Sequence, residues 1–461
     1  MVVCGRPPLG HAPAGEPVHV FSAPKGTPPR PEIARAEGVY MWDGAGKRYL
    51  DACSGPVACN LGHGNARVLA ALNAQAAAAT FASLGHFESR ANRAMSDLLA
   101  GLAGPGFERV FPTSGGSEAI EAAIKFARQY KVAVGEGTRW KVIGREPSYH
   151  GNTLGAFAAG GDAAAREIFG PLTKTMPKVP APLTYRPPAG HDAVSYAEAA
   201  AAALDERIRA EGPETVLAFI LEPVGGVATG ALVAPASYYA AVRRICDDHG
   251  VVLIHDEVMS GCGRSGHFVT SDGWPGARPD LLVLAKGLAG GYLPLGALLA
   301  PAAWVERVAA IGGFAHGHTY TGHPLAAAVG EAVLTETRDR DLPARAARLG
   351  ADLKARLTGL AARQPLIGDV RGQGLLLAVE LVEDRDSKRA FAADRRVTER
   401  LGDIAQDLGL LIYGRRTNGG RYGEWVMIAP PLIAEDGEID EIVSLFDQAL
   451  SQLTAELAAA R

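Results

Sequence analysis

The chain has 461 residues, 46 Lys and Arg against 50 Asp and Glu for a formal net charge of −4, and 48% hydrophobic residues. That length holds two or three domains, or one large and one small, with ample apolar content for a core. Charge is near balance and interspersed without a long basic run, which excludes the electrostatic footprint of nucleic-acid binding. Met1 to Pro8 hold too short an apolar run for a secretory signal, and no segment approaches a membrane span. Five cysteines (4, 53, 59, 246 and 262) lack Cys-x-x-Cys spacing, so the expected setting is reducing and cytoplasmic.

Residues 1–36 are rich in Pro and Gly and read as an irregular arm. Gly38 to Asp51 predicts a hairpin, with alternating apolar positions around an Asp43-Gly44-Ala45-Gly46 turn. Helical patterns follow at 65–80 and 88–104, then a strand at 107–111. Ala119, Ile120, Ala123, Ile124 and Ala127 mark one face of a helix over 117–130. Strands at 140–144, 216–221, 251–255 and 281–285 alternate with helices such as 193–210 and 235–249. That alternation predicts an α/β fold with a mainly parallel sheet wrapped by helices. After about residue 325 come a helical stretch over 324–362 interrupted at 339–343, and strands around a glycine turn in 367–381. A helix at 394–408, a strand near 409–413 and a helix at 436–457 complete a smaller α+β unit. The expected division is an arm and hairpin over 1–60 packing with the small domain, a large domain over 61–325, and the small domain over 326–461.

Lys286 follows the apolar run Leu281 to Ala285 and opens a glycine-rich stretch, Gly287 to Gly291. Asp256-Glu257 follows the apolar run Val251 to Ile254. Strands ending in charged groups bring those groups to one sheet edge, where open α/β folds bind ligands. A lysine held beside apolar surface is partly deprotonated and attacks carbonyls to form a Schiff base; the bland alternative is a solvated strand end. Thr113-Ser-Gly-Gly-Ser-Glu118 runs into the helix at 117–130, and helix N-termini with glycines suit a phosphate. Ser117 and Glu118 also read as ordinary caps, although capping leaves Gly115 and Gly116 unexplained. Tyr149, in Ser148-Tyr-His-Gly151, either stacks on a planar ring or packs structurally. Asp256 either pairs with a pyridine nitrogen or caps a helix. One cofactor uses all four features: pyridoxal 5′-phosphate has a phosphate, a flat ring, a basic ring nitrogen and an aldehyde.

The chain resembles the class III (omega-type) aminotransferases of the fold-type I pyridoxal-phosphate enzymes. The resemblance rests on Ser114-Gly-Gly-Ser-Glu-Ala119, Ser148-Tyr-His-Gly-Asn152, Leu221-Glu-Pro-Val224, Ile254-His-Asp-Glu-Val258 with Gly263-Arg264, Ala285-Lys-Gly287 and Thr319-Tyr-Thr-Gly-His-Pro324, in the family's order. It implies a large sheet domain plus a smaller α+β domain. It implies that Lys286 holds the cofactor as an internal aldimine and Asp256 pairs with its ring nitrogen. Val258 and Tyr149 would sandwich the ring, with His150 beside it. Gly115, Gly116 and Ser117 would hold the phosphate, joined by Thr319 from the neighbouring subunit of a homodimer. Glu222 would lie near the cofactor hydroxyl. The implied reaction moves an amino group from an amine or omega-amino acid donor to an oxo acid, pyruvate or 2-oxoglutarate.

Many relatives carry a switching arginine just after a strand equivalent to 410–412, where this chain has Tyr413. Arg415, Arg416 and Arg421 in the following loop are the alternatives for a carboxylate, since Arg suits bidentate recognition. Val57 stands where several amine–pyruvate relatives have tryptophan, and Leu84, His86 and Phe87 are further candidates for the donor pocket. Three rival readings remain. One keeps the cofactor but changes the reaction to aminomutase, racemase or decarboxylase. Another is a metal-dependent hydrolase on His316, His318, His323 and the His255-Asp256 pair. The third is a binding protein on a retired enzyme fold.

Overall fold

A computed structural model describes residues 30–459, apart from the side chain of Asn418. Most of the expected arm, residues 1–29, lies outside the described residues. The expected hairpin forms between Tyr40–Asp43 and Arg48–Asp51, antiparallel, with Asp43 Oδ1 accepting from the N–H of Ala45 (3.0 Å) and Lys47 (2.9 Å). That Asx turn is the reason an aspartate opens the loop. Ile33–Glu37, within the stretch read as irregular, adds an antiparallel strand to the hairpin. On its other edge, Leu410–Leu411 pairs in parallel with Leu50 and Asp51. The hairpin is thus continuous with C-terminal chain.

The central sheet has seven strands in the order Arg109–Thr113, Gly296–Ala300, Leu281–Leu284, Val252–Asp256, Val216–Leu221, Lys141–Glu146, Lys178–Pro180. Pairings among the last five are parallel, and Gly296–Ala300 runs antiparallel to both its neighbours. Sequence patterning misses that strand, because Gly-Ala-Leu-Leu-Ala favours helix at least as much as sheet. The parallel strands read as unbroken apolar runs because both faces are covered. Val252, Ile254, Leu281 and Val283 pack with the helix Gly116–Ala133, whereas Leu253, Leu282 and Leu284 pack into the clusters on the other side.

The second face carries the helices Ala193–Glu211 and Ala236–His249. The C-terminal region has its own antiparallel sheet, Ile367–Gln373, Leu376–Leu381, Glu424–Ile428 and Tyr413–Arg416. The predicted long helix is two, Pro324–Asp339 and Leu342–Leu360, broken where Asp341 adopts φ 45° before Pro343. Among the described residues, no helix is long and apolar enough to cross a membrane.

Candidate active site

The chemistry-bearing residues gather because their strands are parallel and end on one side. Asp256 is the last residue of its strand, Glu222 follows Val216–Leu221, Tyr149 follows Lys141–Glu146, and Lys286 lies two residues past Leu284. Ser114 follows the strand Arg109–Thr113 and leads into the helix that begins at Gly116. Together these ends line a cavity of about 710 Å³, which holds Gly115, Gly116, Ser117, Tyr149, His150, Glu222, Asp256, Val258 and Lys286. Its position is the carboxyl edge of the sheet, where an α/β fold leaves a crevice.

Lys286 has φ 46°, in the left-handed region that a side-chain-bearing residue occupies only under constraint. Gly287 permits this close seat, since a Cβ there would lie 2.3 Å from Asn60 Nδ2. Lys286 Nζ donates to the carbonyl oxygen of Pro56 at 2.9 Å. Burial drives its ammonium down to about 8, against the opposing pull of Asp256 and Glu222. A neutral amine is therefore available near physiological pH.

Asp256 is held on both oxygens. His150 Nδ1 donates to Oδ2 (2.8 Å) and the N–H of Val258 to Oδ1 (3.1 Å). With its proton on Nδ1, the buried His150 keeps an acceptor at Nε2, and no protein group bonds that atom. Glu222 accepts from the N–H of Tyr149 (3.3 Å) and of Gly226 (2.9 Å). Burial raises its carboxyl above the usual range. Tyr149 itself is raised first by burial and then by neighbours that include Tyr413 and Asp256.

At the helix start, a Cβ on Gly116 would sit 2.9 Å from a methyl of Val258, so only glycine lets this turn approach so closely. Ser117 Oγ accepts from the N–H of Asn152 at 3.1 Å, which pins the Tyr149–Asn152 loop onto the same turn. The result is a bare, N–H-presenting cradle for an anion at one end and a buried carboxylate at the other, with an amine of lowered pKa in the same cavity. Those are the complements of the phosphate, ring nitrogen and aldehyde of pyridoxal 5′-phosphate, and the residues present fit it.

Other expected residues lie elsewhere. The Val57 side chain is buried in the apolar cluster behind the cavity, and its neighbours Pro56 and Ala58 line the cavity instead. Leu84 and Phe87 are exposed, Phe87 at 68%, and line none of the cavity within their own chain. Thr319 is also exposed and outside it. Of the three loop arginines, Arg415 reaches the cavity. Arg416 is engaged by buried Glu424 (3.2 Å) and the carbonyl of Phe391 (2.8 Å). Arg421 lies over the ring of Tyr422.

Sequence reasoning named Arg264 only as part of a motif and passed over Arg145. The Arg264 guanidinium is buried and donates to Asn60 Oδ1 (2.8 Å), Ser54 Oγ (3.2 Å) and the carbonyls of Leu375 (3.1 Å) and Pro430. Burial pulls it down to about 10. It ties the segment bearing Pro56 to the C-terminal sheet. Arg145 donates to the carbonyl of Glu222 at 2.6 Å. A buried arginine in a strand was the available signal. Tyr413, noted only as replacing an arginine, and Met259 complete the lining near Arg415.

The histidines of the hydrolase reading are dispersed in role. His323 accepts from the N–H of Ala326 as a helix cap, and His255 is buried within its strand. His316 lies beside Lys125 and His318 beside Glu118. Among the described residues no three His, Cys, Asp or Glu side chains come together as a metal-binding group.

Comparison with known proteins gives the same assignment. The chain is 35% identical over 431 residues to the taurine–pyruvate aminotransferase of Rhodobacter capsulatus, covering 92% of each chain. It is 32% identical over 449 residues to the diaminobutyrate–2-oxoglutarate transaminase of Halomonas elongata, covering 95% of this chain and 94% of that one. An amine transaminase from an uncultivated Pseudomonas species, solved in its PLP-bound internal aldimine form, superimposes with a TM-score of 0.87 at 34% identity over 96% of this chain and 99% of its own. The family model described as aminotransferase class-III matches residues 21–450, and the chain is a class III, pyridoxal-phosphate-dependent aminotransferase of fold type I.

Proposed function

We propose that this enzyme transfers the amino group of a primary amine or omega-amino acid to a small oxo acid, pyruvate or 2-oxoglutarate, with Lys286 as covalent anchor and proton carrier. The observation that carries this reading is the lowered Lys286 amine in one cavity with a carboxylate fixed by His150 and Val258. When bound, pyridoxal phosphate supplies an aldehyde to hold the amino group and a ring that draws electrons from the bond being broken. The protein's part is to place and tune it. Asp256, whose orientation is fixed on both oxygens, keeps the ring nitrogen protonated. Val258 and Tyr149 press the ring between them, and Gly115, Gly116 and Ser117 receive the phosphate. Glu222 fixes the Tyr149 backbone and faces the cofactor hydroxyl. Lys286, neutral near pH 8, takes the donor's α-proton and returns a proton one atom away.

Arg415 is the residue assigned to the oxo acid's carboxylate, because it alone of the three loop arginines lines the cavity. The unit that works is a homodimer in the cytoplasm, with Thr319 of each chain completing the partner's phosphate site. The exposed apolar residues Phe81, Leu84, Phe87 and Tyr320, near Thr319, support that arrangement. The decisive test is Lys286→Ala. Borohydride should then fail to fix the coenzyme to the chain, and turnover of amine with pyruvate should fall at least about 1000-fold, since one group both binds and shuttles the proton. Retained turnover would remove Lys286 from the mechanism.

A further inference from the structure

Beside the cavity of Lys286 lies a second one, of about 340 Å³. Tyr149, Asp162, Val227 and Arg415 line both, so the two adjoin across a shared wall. The outer cavity is bounded by the short helix Ala163–Phe169 and by Thr417 and Gly419 of the loop that carries Arg415. Asp162 caps that helix, its Oδ1 accepting from the N–H of Ala165 at 3.0 Å. Ala228 and Val227 supply further apolar surface, both buried. Two large apolar side chains are left open there, Ile168 at 70% and Phe169 at 49% exposure. Phe169 is braced edge-on by Phe157.

Apolar surface kept exposed beside a binding site is unexpected on a free face, and it is the usual lining of a ligand pocket. Arg416, the remaining charged residue of this wall, is already neutralised by Glu424. We propose that the outer cavity is a distal subsite for the hydrophobic tail of the amino donor. It would make the enzyme prefer primary amines carrying an apolar extension of several carbons beyond the reacting nitrogen. Arg415 and Asp162, at the shared wall, leave a polar collar between the reacting end and the tail. The inference rests on the transamination reading and adds the class of donor.

The test uses the holoenzyme and straight-chain primary amines of two to eight carbons, with pyruvate as acceptor. Spectral titration gives an apparent Kd for each amine whether or not it turns over, and product analysis gives kcat/KM. Once the chain is long enough to enter the outer cavity, affinity should tighten about fourfold per methylene, the fold-change equivalent of ~0.8 kcal/mol for a buried CH₂. Ile168→Asp should flatten that gradient at least tenfold between the shortest and longest amine. Leu172→Asp is the control, since Leu172 is 65% exposed nearby but lines neither cavity. A gradient absent in the wild type, or equally altered by both variants, overturns the subsite. Amines that bind with the expected gradient but yield no carbonyl product would instead fault the transamination reading.

Discussion

At Lys286 burial outweighs two nearby carboxylates. Asp256 and Glu222 favour the ammonium, yet removal from water drives its pKa from an ordinary 10.5 down to about 8. The amine that captures the coenzyme is the neutral one, so the sign is fixed. Capture of pyridoxal phosphate by the apoenzyme should accelerate about tenfold per pH unit below 8 and level off above it. Stopped-flow mixing measures this, and a flat profile from pH 6 to 9 would show that the amine is not the limiting group. Asp256→Asn keeps a carbonyl oxygen for His150 and so should fold normally. It loses the charge that holds a ring nitrogen protonated, and kcat should fall at least about 100-fold; a near-normal single-turnover rate would discard that pairing. Lys286, Asp256 and Tyr149 were readable because each follows a strong apolar run. Arg145 and Arg264 were not, because nothing in a linear pattern says that an arginine will be buried.

The helix that begins at Gly116 shows what an element adds to its residues. Its apolar face was plain from the spacing of Ala119, Ile120, Ala123 and Ala127, all buried against the sheet. What the sequence did not reveal is that its first turn abuts Val258 from another strand end. Close approach between distant segments leaves no periodic trace beyond a glycine. Gly116→Ala should therefore loosen coenzyme retention about tenfold, and Val258→Ala in the same chain should restore part of the loss. Equilibrium dialysis of the two single variants and the double variant tests this; additive losses would mean that the two residues do not share a contact. The antiparallel strand Gly296–Ala300 escaped for a related reason, since its short Ala-rich run acquires its state from the neighbours on either side.

For the whole molecule, strand–helix alternation announced the parallel sheet and the change of texture announced the C-terminal unit. The antiparallel C-terminal sheet was partly visible around the Gly374 turn, whereas the pairing of Leu410–Leu411 with Leu50 and Asp51 spans some 360 residues and had no local mark. The proposed dimer gives the scale's own prediction. Thr319→Glu and Lys286→Ala chains, each inactive alone, should regain about a quarter of wild-type activity when co-expressed, because half of randomly paired dimers hold one intact site. Absence of rescue in a verified mixed dimer would confine the site to one chain.

The parallel pair between residues 50–51 and 410–411 has a mechanical consequence. One of its strands runs on to Pro56, whose oxygen receives the amine, and the other runs on to Tyr413 and Arg415 at the cavity wall. Floor and wall are therefore levers on a common hinge pin. Any tilt that widens the mouth for an incoming molecule tugs on the tether of the nucleophile, so admission of substrate and release of the lysine are geared to one displacement.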